Sequence, residues 1–144
     1  MFKSLRISAS GLAANRKRME SISSNIANSQ TTRTAEGGPY RRKEVVFGAE
    51  PSRESFADVL EGKMGESMQE VHATEVISSN RPPIAKYQPD HPDADDKGYV
   101  YLPNINTMEE MANMISATRS YEANISALKT AKGMAMKALE ITKD

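Results

Sequence analysis

The sequence contains no cysteine and no tryptophan among its 144 residues. The absence of cysteine excludes disulfide bonds, thiolate metal ligands and cysteine nucleophiles. No apolar run approaches the roughly 20 residues that a membrane-spanning helix needs. The first residues also lack the apolar core of a cleaved signal peptide. We therefore expect neither direct membrane insertion nor cleavage of a secretory signal.

The charges balance in number but not in position. Residues 1–43 have nine basic and two acidic side chains, a net charge of +7, whereas residues 44–96 have four basic and twelve acidic ones, a net charge of −8. Such segregation lets the segments attract one another or other copies of the chain. The basic residues 16–18 have no aromatic neighbours that could stack on bases, so the sequence predicts no nucleic-acid partner.

A heptad spacing predicts a long helix over residues 5–28. Gly11, inside this pattern, leaves room for the close approach of a partner helix. The segment from Asn25 to Asn28 and the polar residues 29–32 after it predict the end of the helix. The apolar residues expected on its contact face are Leu5, Leu12, Met19, Ile22 and Ile26.

A second long helix is predicted over residues 107–142. Thr107 and Glu110 have the spacing of a capping box, in which two side chains satisfy backbone N–H groups at the start of a helix. Apolar residues then follow in alternating steps of three and four. Those expected on the contact face are Met111, Met114, Tyr121, Ile125, Leu128 and Leu139.

The middle of the chain predicts a small and partly irregular β unit. Short strands are expected over residues 43–47, 71–77, 84–87 and 99–102, where apolar or β-branched residues lie between turn-forming ones. A short helix is expected over residues 52–64. The fold class is therefore mainly α, with a β-containing middle between two long terminal helices.

One acidic cluster has the residue types of a metal site. Asp90, Asp93, Asp95 and Asp96 lie within seven residues and could bind a hard cation. Against the pattern of a calcium loop starting at Asp93, however, a lysine replaces one ligand and an asparagine replaces the bidentate acid. We prefer an acidic turn whose carboxylates accept hydrogen bonds from nearby backbone. With no nucleophile motif, phosphate-binding loop or zinc spacing, the sequence predicts no catalytic residue, no metal and no cofactor.

Several strings, taken together and in order, resemble the signatures of bacterial flagellar rod and hook proteins. Near the N-terminus these are ISASGL at residues 7–12, NIAN at 25–28 and TTRT at 31–34. In the middle they are GGPYRR at residues 37–42 and HPDAD at 91–95, and near the C-terminus RSYEAN at 119–124. The middle strings narrow the resemblance to one group of rod proteins.

The resemblance implies a structural subunit of the proximal rod in the flagellar basal body, and no enzyme. The terminal helices would pair as a coiled-coil-like axial domain of residues 1–35 and 104–144, with residues 36–103 farther out. That domain would line the export channel and transmit torque. The chain would leave the cell through the flagellar type III export apparatus without a cleaved signal peptide and assemble in the periplasm. Its partners would be copies of itself, the rod proteins FlgB and FlgF, and the export-gate adaptor FliE.

Two other functions stay open at this point. One is a cytosolic helical adaptor whose terminal helices pair with a partner coiled coil. The other is a divalent-metal-dependent enzyme that uses the cluster from Asp90 to Asp96. Cell fractionation distinguishes the first from a rod subunit, and calorimetry with calcium or magnesium tests the second.

Overall fold

The computed structural model describes residues 2–51 and 69–141. Helix α1 covers Phe2–Ala27 and helix α2 covers Thr107–Ile141, with four strands between them. The strands are β1 (Lys43–Pro51), β2 (Gln69–Ser78), β3 (Ile84–Tyr87) and β4 (Tyr99–Leu102). The predicted order of helix, short strands and helix is confirmed. The helix expected over residues 52–64 lies outside the described residues.

Strands β1 and β2 form an antiparallel ribbon that rests against α1. Their register shifts between Val46 and Phe47, which marks a β-bulge. The ribbon is joined to α1 by an ion pair of 2.7 Å between Arg6 and Glu70. Beside it, the backbone N–H of Val71 donates to Ser10 Oγ at 3.2 Å. Strand β1 runs four residues beyond the predicted end because its pairing with β2 continues past the apolar residues.

Strands β3 and β4 form a second, shorter antiparallel hairpin. Ile84 pairs with Leu102 at its base and Tyr87 with Tyr99 near its tip. The rings of Tyr87 and Tyr99 meet edge to face, with centroids 5.4 Å apart. Val100, on the opposite face of the hairpin, is fully buried. The hairpin thus has one exposed aromatic face, and an opposite face on which Val100 is buried.

The two helices pack against each other in antiparallel orientation. Late in α1, Asn25 contacts Glu110 at the start of α2. Early in α1, a Cβ on Gly11 would lie 3.1 Å from the Asn124 side chain, farther along α2. The close approach predicted at Gly11 is confirmed. The coiled-coil form of the pairing stays a prediction.

The most buried positions of α2 lie beside the predicted row, of which Met114, Tyr121, Ile125 and Leu128 are half-buried. Glu110, Ala117 and Ala131 are buried and lie at multiples of seven residues, whereas the predicted row began at Met111. Met111 is 47% exposed, and Leu139 is 65% exposed. Closely packed helices require small side chains at the contact, so the alanines face α1 and several larger apolar residues face outward.

The start of α2 is capped by a residue other than the one predicted. Asn106 Oδ1 accepts hydrogen bonds from the backbone N–H groups of Met108 and Glu109, at 3.1 and 3.4 Å. Asn106 is therefore the N-cap. The predicted capping box of Thr107 and Glu110 is wrong, because the Glu110 carboxylate turns inward and binds other partners.

Neither of the two described helices has an apolar stretch long enough to cross a membrane.

Candidate assembly site

A buried polar network joins α1, α2 and the start of β1, with Asn25 at its centre. Asn25 is 1% exposed, and its side-chain amide uses every donor and acceptor. Its Nδ2 donates to the Lys43 carbonyl at 2.9 Å and to Glu110 Oε2 at 3.0 Å. Its Oδ1 accepts from the Lys43 N–H at 2.8 Å and from the Tyr40 hydroxyl at 3.1 Å. This pattern suits a neutral amide and no other side chain of that size.

The carboxylate of Glu110 is the anionic part of the same network. Glu110 is also 1% exposed, and its Oε1 accepts from Arg42 Nε at 2.9 Å and from Arg42 Nη2 at 2.8 Å. The remaining terminal nitrogen of Arg42 forms an ion pair with Glu44. A buried carboxylate is stable only when it is paired and hydrogen-bonded, and here Arg42 and Asn25 meet both conditions.

The network holds three chain segments in fixed relation. Removing one partner of a buried, hydrogen-bonded charge pair typically costs about 3–5 kcal/mol, because the other charge stays buried. Ser24 extends the network, since its hydroxyl lies 3.1 Å from that of Tyr40. Every polar group in it is engaged with a neighbour, so the arrangement is suited to holding segments together.

A second connection joins the end of α1 to the loop between β3 and β4. Thr32 Oγ1 donates to Asp93 Oδ2 at 2.7 Å. In the same loop, Asp95 Oδ1 accepts from the backbone N–H groups of Tyr99 and Lys97, at 2.8 and 2.9 Å. These two aspartates therefore stabilise local structure.

The hydrogen bonds to Asp95 also change its acidity. The backbone N–H of Tyr99 is the largest cause that lowers the pKa of the Asp95 carboxyl below its usual value, with further contributions from Lys97 and the Tyr101 hydroxyl. The preferred interpretation of this segment, an acidic turn bonded to its own backbone, is confirmed at Asp95. Within residues 2–51 and 69–141, no three His, Cys, Asp or Glu side chains are grouped so as to hold a metal ion.

The outer side of α2 carries an exposed apolar patch near the start of the helix. Met108 is 75% exposed, Met111 47% and Ile115 57%. Their spacing of three and four residues places them on one side of the helix, away from buried Ala117. We call these three residues the outer patch of α2. It has the composition of a helix-packing surface.

The residues predicted for the contact faces fall into three classes of burial. Ile22 is buried, and Met111 and Leu139 are exposed. The others are half-buried: Leu5, Leu12, Met19, Ile26, Met114, Tyr121, Ile125 and Leu128. Met19 Sδ meets the Thr118 hydroxyl between the helices, at 3.7 Å. Packing of these residues against other subunits stays a prediction.

The sequence reasoning missed the roles of Asn25, Arg42 and Glu110. Asn25 was interpreted as a signal for the end of the helix, and Glu110 as a capping residue. The available signal was position: Asn25 lies three residues after apolar Ile22 and so shares its side of α1. A polar residue on the apolar side of a helix is buried, and a buried polar group requires a hydrogen-bond partner.

Comparison with known proteins matches both ends of the chain to flagellar families. A family model described as flagella basal body rod protein matches residues 5–33. A second, described as flagellar basal body rod FlgEFG protein C-terminal, matches residues 96–141. These segments contain most of α1 and α2.

Relatives that align over nearly the whole chain identify the family more closely than the two terminal matches do. The chain is 43% identical to the flagellar basal-body rod protein FlgC of Bacillus subtilis, over 99% of this chain and 98% of the relative. It is 41% identical to the protein of the same name from Borreliella burgdorferi, over 98% and 97%. It is 38% identical to the protein of the same name from Salmonella typhimurium, over 94% of this chain and 92% of the relative. The chain therefore belongs to the FlgC family of flagellar basal-body rod proteins.

Proposed function

We propose that this chain, a structural subunit of the flagellar basal-body rod, assembles by packing of its terminal helices and transmits torque along the rod. One observation carries the proposal beyond family membership: α2 is apolar on two sides. Its inner side packs on α1, while the outer patch of Met108, Met111 and Ile115 is exposed in the single chain. Full burial of a side chain of this type contributes about 1.5–3 kcal/mol, so the patch supplies a substantial part of a subunit contact.

Torque transmission requires a subunit that resists internal rotation and no catalytic group. The network of Asn25, Arg42 and Glu110 supports this role because it fixes α1, α2 and the start of β1 to one another. Contacts between unlike surfaces of successive subunits generate an open helical array, which is the geometry of a rod. The paired helices would line the export channel inside that array.

The partners and location follow from the same family. The chain would pack against copies of itself and the rod proteins FlgB and FlgF, and near the export-gate adaptor FliE. It would reach the periplasm through the flagellar type III export apparatus without cleavage of a signal peptide. The chain would have no enzymatic activity. Thr32, Lys97 and Tyr99 already engage the carboxylates of Asp93 and Asp95, which were the strongest candidates for catalysis.

A substitution in the outer patch tests the proposal. Ile115→Asp places a charge on a residue that is exposed in the single chain, so the fold is expected to persist. In an assembled rod the same charge would be buried without a partner. We expect circular dichroism like that of the wild type, together with loss of the chain from purified basal bodies and loss of swimming.

The matched control is Ser120→Asp, which adds the same charge at an exposed position on another side of α2. It is expected to leave swimming near the wild-type level. Normal swimming of cells that contain only the Ile115→Asp chain would contradict the assignment of the outer patch to subunit packing.

A further inference from the structure

A basic cleft lies at the base of the hairpin formed by β3 and β4. Its walls come from residues 37–42, from residues 79–83 before β3, and from residues 103–104 after β4. Arg41 and Arg81 line it and are exposed. Asn104 Nδ2 donates to the Pro82 carbonyl at 3.2 Å, which joins two walls of the cleft.

Among the residues that the structure describes, the two arginines differ from their neighbour Arg42 in having no acidic partner. Arg42 also lines the cleft, but Glu110 and Glu44 neutralise its charge. Within the described part of the chain, neither Arg41 nor Arg81 has a carboxylate within 4.0 Å. The cleft therefore has two available guanidinium groups, which favour carboxylates as ligands.

The loop at the tip of the same hairpin has the complementary charge. Asp93 and Asp95 are engaged within the chain, as described above. Asp90 and Asp96 are exposed, and among the described residues neither carboxylate has a hydrogen-bond or ion-pair partner. The loop thus offers two free carboxylates, the number that the cleft can pair.

This loop lies at the opposite end of the hairpin from the cleft. The cleft adjoins the pair Ile84–Leu102, whereas the loop begins beyond the pair Tyr87–Tyr99. Three residue steps at about 3.3 Å separate those pairs, so roughly 10 Å of rigid hairpin lies between loop and cleft. Among residues 2–51 and 69–141, no carboxylate pairs with Arg41 or Arg81, so the loop of a second copy can supply the complementary groups.

We propose that the cleft of Arg41 and Arg81 receives the loop of Asp90 and Asp96 from a second copy of this chain. This inference rests on the proposed function, because it concerns contacts between copies in the rod. The contact joins unlike surfaces, so a pair of copies leaves one loop and one cleft available for further copies. Pairing of these opposite charges sets the order and orientation of neighbouring copies.

Charge reversal tests the pairing. Arg41→Glu with Arg81→Glu is expected to weaken association of copies, and Asp90→Lys with Asp96→Lys to do the same. Each exposed pair contributes about two- to fivefold to the association constant at low salt, so loss of two pairs is expected to lower the association of copies, measured as cross-linked product, on the order of tenfold. Combining all four substitutions in one chain restores the attraction and is expected to recover most of the loss. The control, Arg33→Glu with Lys86→Glu, makes the same change of charge at exposed residues outside the cleft and the loop.

The absence of cysteine allows a direct measurement of proximity. A chain with Asn80→Cys in the cleft and Lys97→Cys beside the loop keeps all four paired charges. A short bismaleimide reagent applied to purified basal bodies is expected to give a ladder of chain multimers. Each single cysteine variant should give no ladder, because it has only one reactive position.

The outcomes separate this inference from the proposed function. If the chain is present in basal bodies but yields only monomer, or cross-links to a different protein, the pairing of copies is wrong and the rod function stands. If charge reversal has no effect, or the combined variant recovers nothing, the pairing is also wrong. If the wild-type chain is absent from basal bodies, the proposed function fails.

Discussion

Asn25 of α1 and Glu110 of α2 hydrogen-bond to each other at 3.0 Å, although 85 positions separate them in the sequence. Both side chains are 1% exposed. The contact brings the end of the first helix to the beginning of the last, and Arg42 binds the same carboxylate from the segment that enters β1. One carboxylate thus connects three parts of the fold: α1, α2 and the start of β1.

Glu110→Ala is expected to lower the free energy of unfolding by about 3 kcal/mol or more, because it leaves Arg42 and Asn25 with an unfilled, buried partner position. Urea unfolding of the full chain followed by circular dichroism measures the change. Glu109→Ala is the matched control, since Glu109 is the exposed neighbour in the same helical turn. The control is expected to change stability by no more than about 0.5 kcal/mol. Equal effects of the two substitutions would show that the buried network contributes little.

Asn25→Asp tests the requirement for a neutral amide. The substitution replaces two donated hydrogen bonds with repulsion, because a carboxylate would face both the Lys43 carbonyl and Glu110. A loss of about 3 kcal/mol or more in unfolding free energy is expected at pH 7, and a smaller loss at acidic pH, where the new carboxyl becomes protonated. Ser23→Asp adds the same charge at an exposed position two residues away and serves as the control. A stable Asn25→Asp variant at pH 7 would contradict the hydrogen-bond assignments.

The two helical glycines are expected to respond in opposite ways to larger side chains. Gly11 faces Asn124 closely, so Gly11→Leu should force the helices apart and lower stability by about 1–3 kcal/mol. A Cβ on Gly133 would meet no atom within 4 Å, so Gly133→Ala should raise stability by up to about 1 kcal/mol through helix propensity. Thermal unfolding of both variants checks the contrast. Destabilisation by Gly133→Ala, or tolerance of leucine at Gly11, would refute the helix pairing described above.

The lowered pKa of Asp95 predicts that the stability of its turn depends on pH only in strongly acidic solution. Hydrogen bonds from Tyr99, Lys97 and Tyr101 lower the pKa of its carboxyl in the folded chain. A lowered pKa means that the stabilisation is complete above the pKa of the unfolded chain and is lost as the pH falls through the folded pKa. We expect the turn to stay unchanged from pH 7 to about pH 5 and to weaken below about pH 4.

Nuclear magnetic resonance titration of the Asp95 carboxyl measures this directly. The midpoint is expected below the usual pKa of an aspartate carboxyl. Asp95→Asn should remove the acid-induced change at the Tyr99 amide. A midpoint for Asp95 at or above the usual pKa of an aspartate carboxyl would contradict the turn geometry.

The order of elements could be predicted from the sequence because helix and strand signals are local. The heptad spacing of α1, the apolar spacing of α2 and the turn residues around β3 and β4 are all visible within short windows. The inward face of α2 could not be predicted in the same way. Apolar spacing identified Tyr121 and Leu128, which are half-buried, but close packing makes the smaller Ala117 and Ala131 the most buried of the helix's apolar residues.

The buried network was beyond the reach of local patterns. Arg42 precedes a strand, Asn25 lies near a helix end, and Glu110 lies in the first turn of another helix, so each has an ordinary local explanation. Their joint role depends on contacts across up to 85 positions, which a single sequence does not display. The flagellar signatures, by contrast, were identifiable because several short strings occur in a fixed order.

The most direct measurement is electron cryomicroscopy of basal bodies purified from cells that produce this chain. We expect density in the rod that fits α1 and α2 as an antiparallel pair, with side-chain density joining Asn25 to Glu110 and the outer patch of α2 against a neighbouring subunit. Absence of the chain from the rod, with the protein recovered only from the cytosol, would contradict its role as a rod subunit.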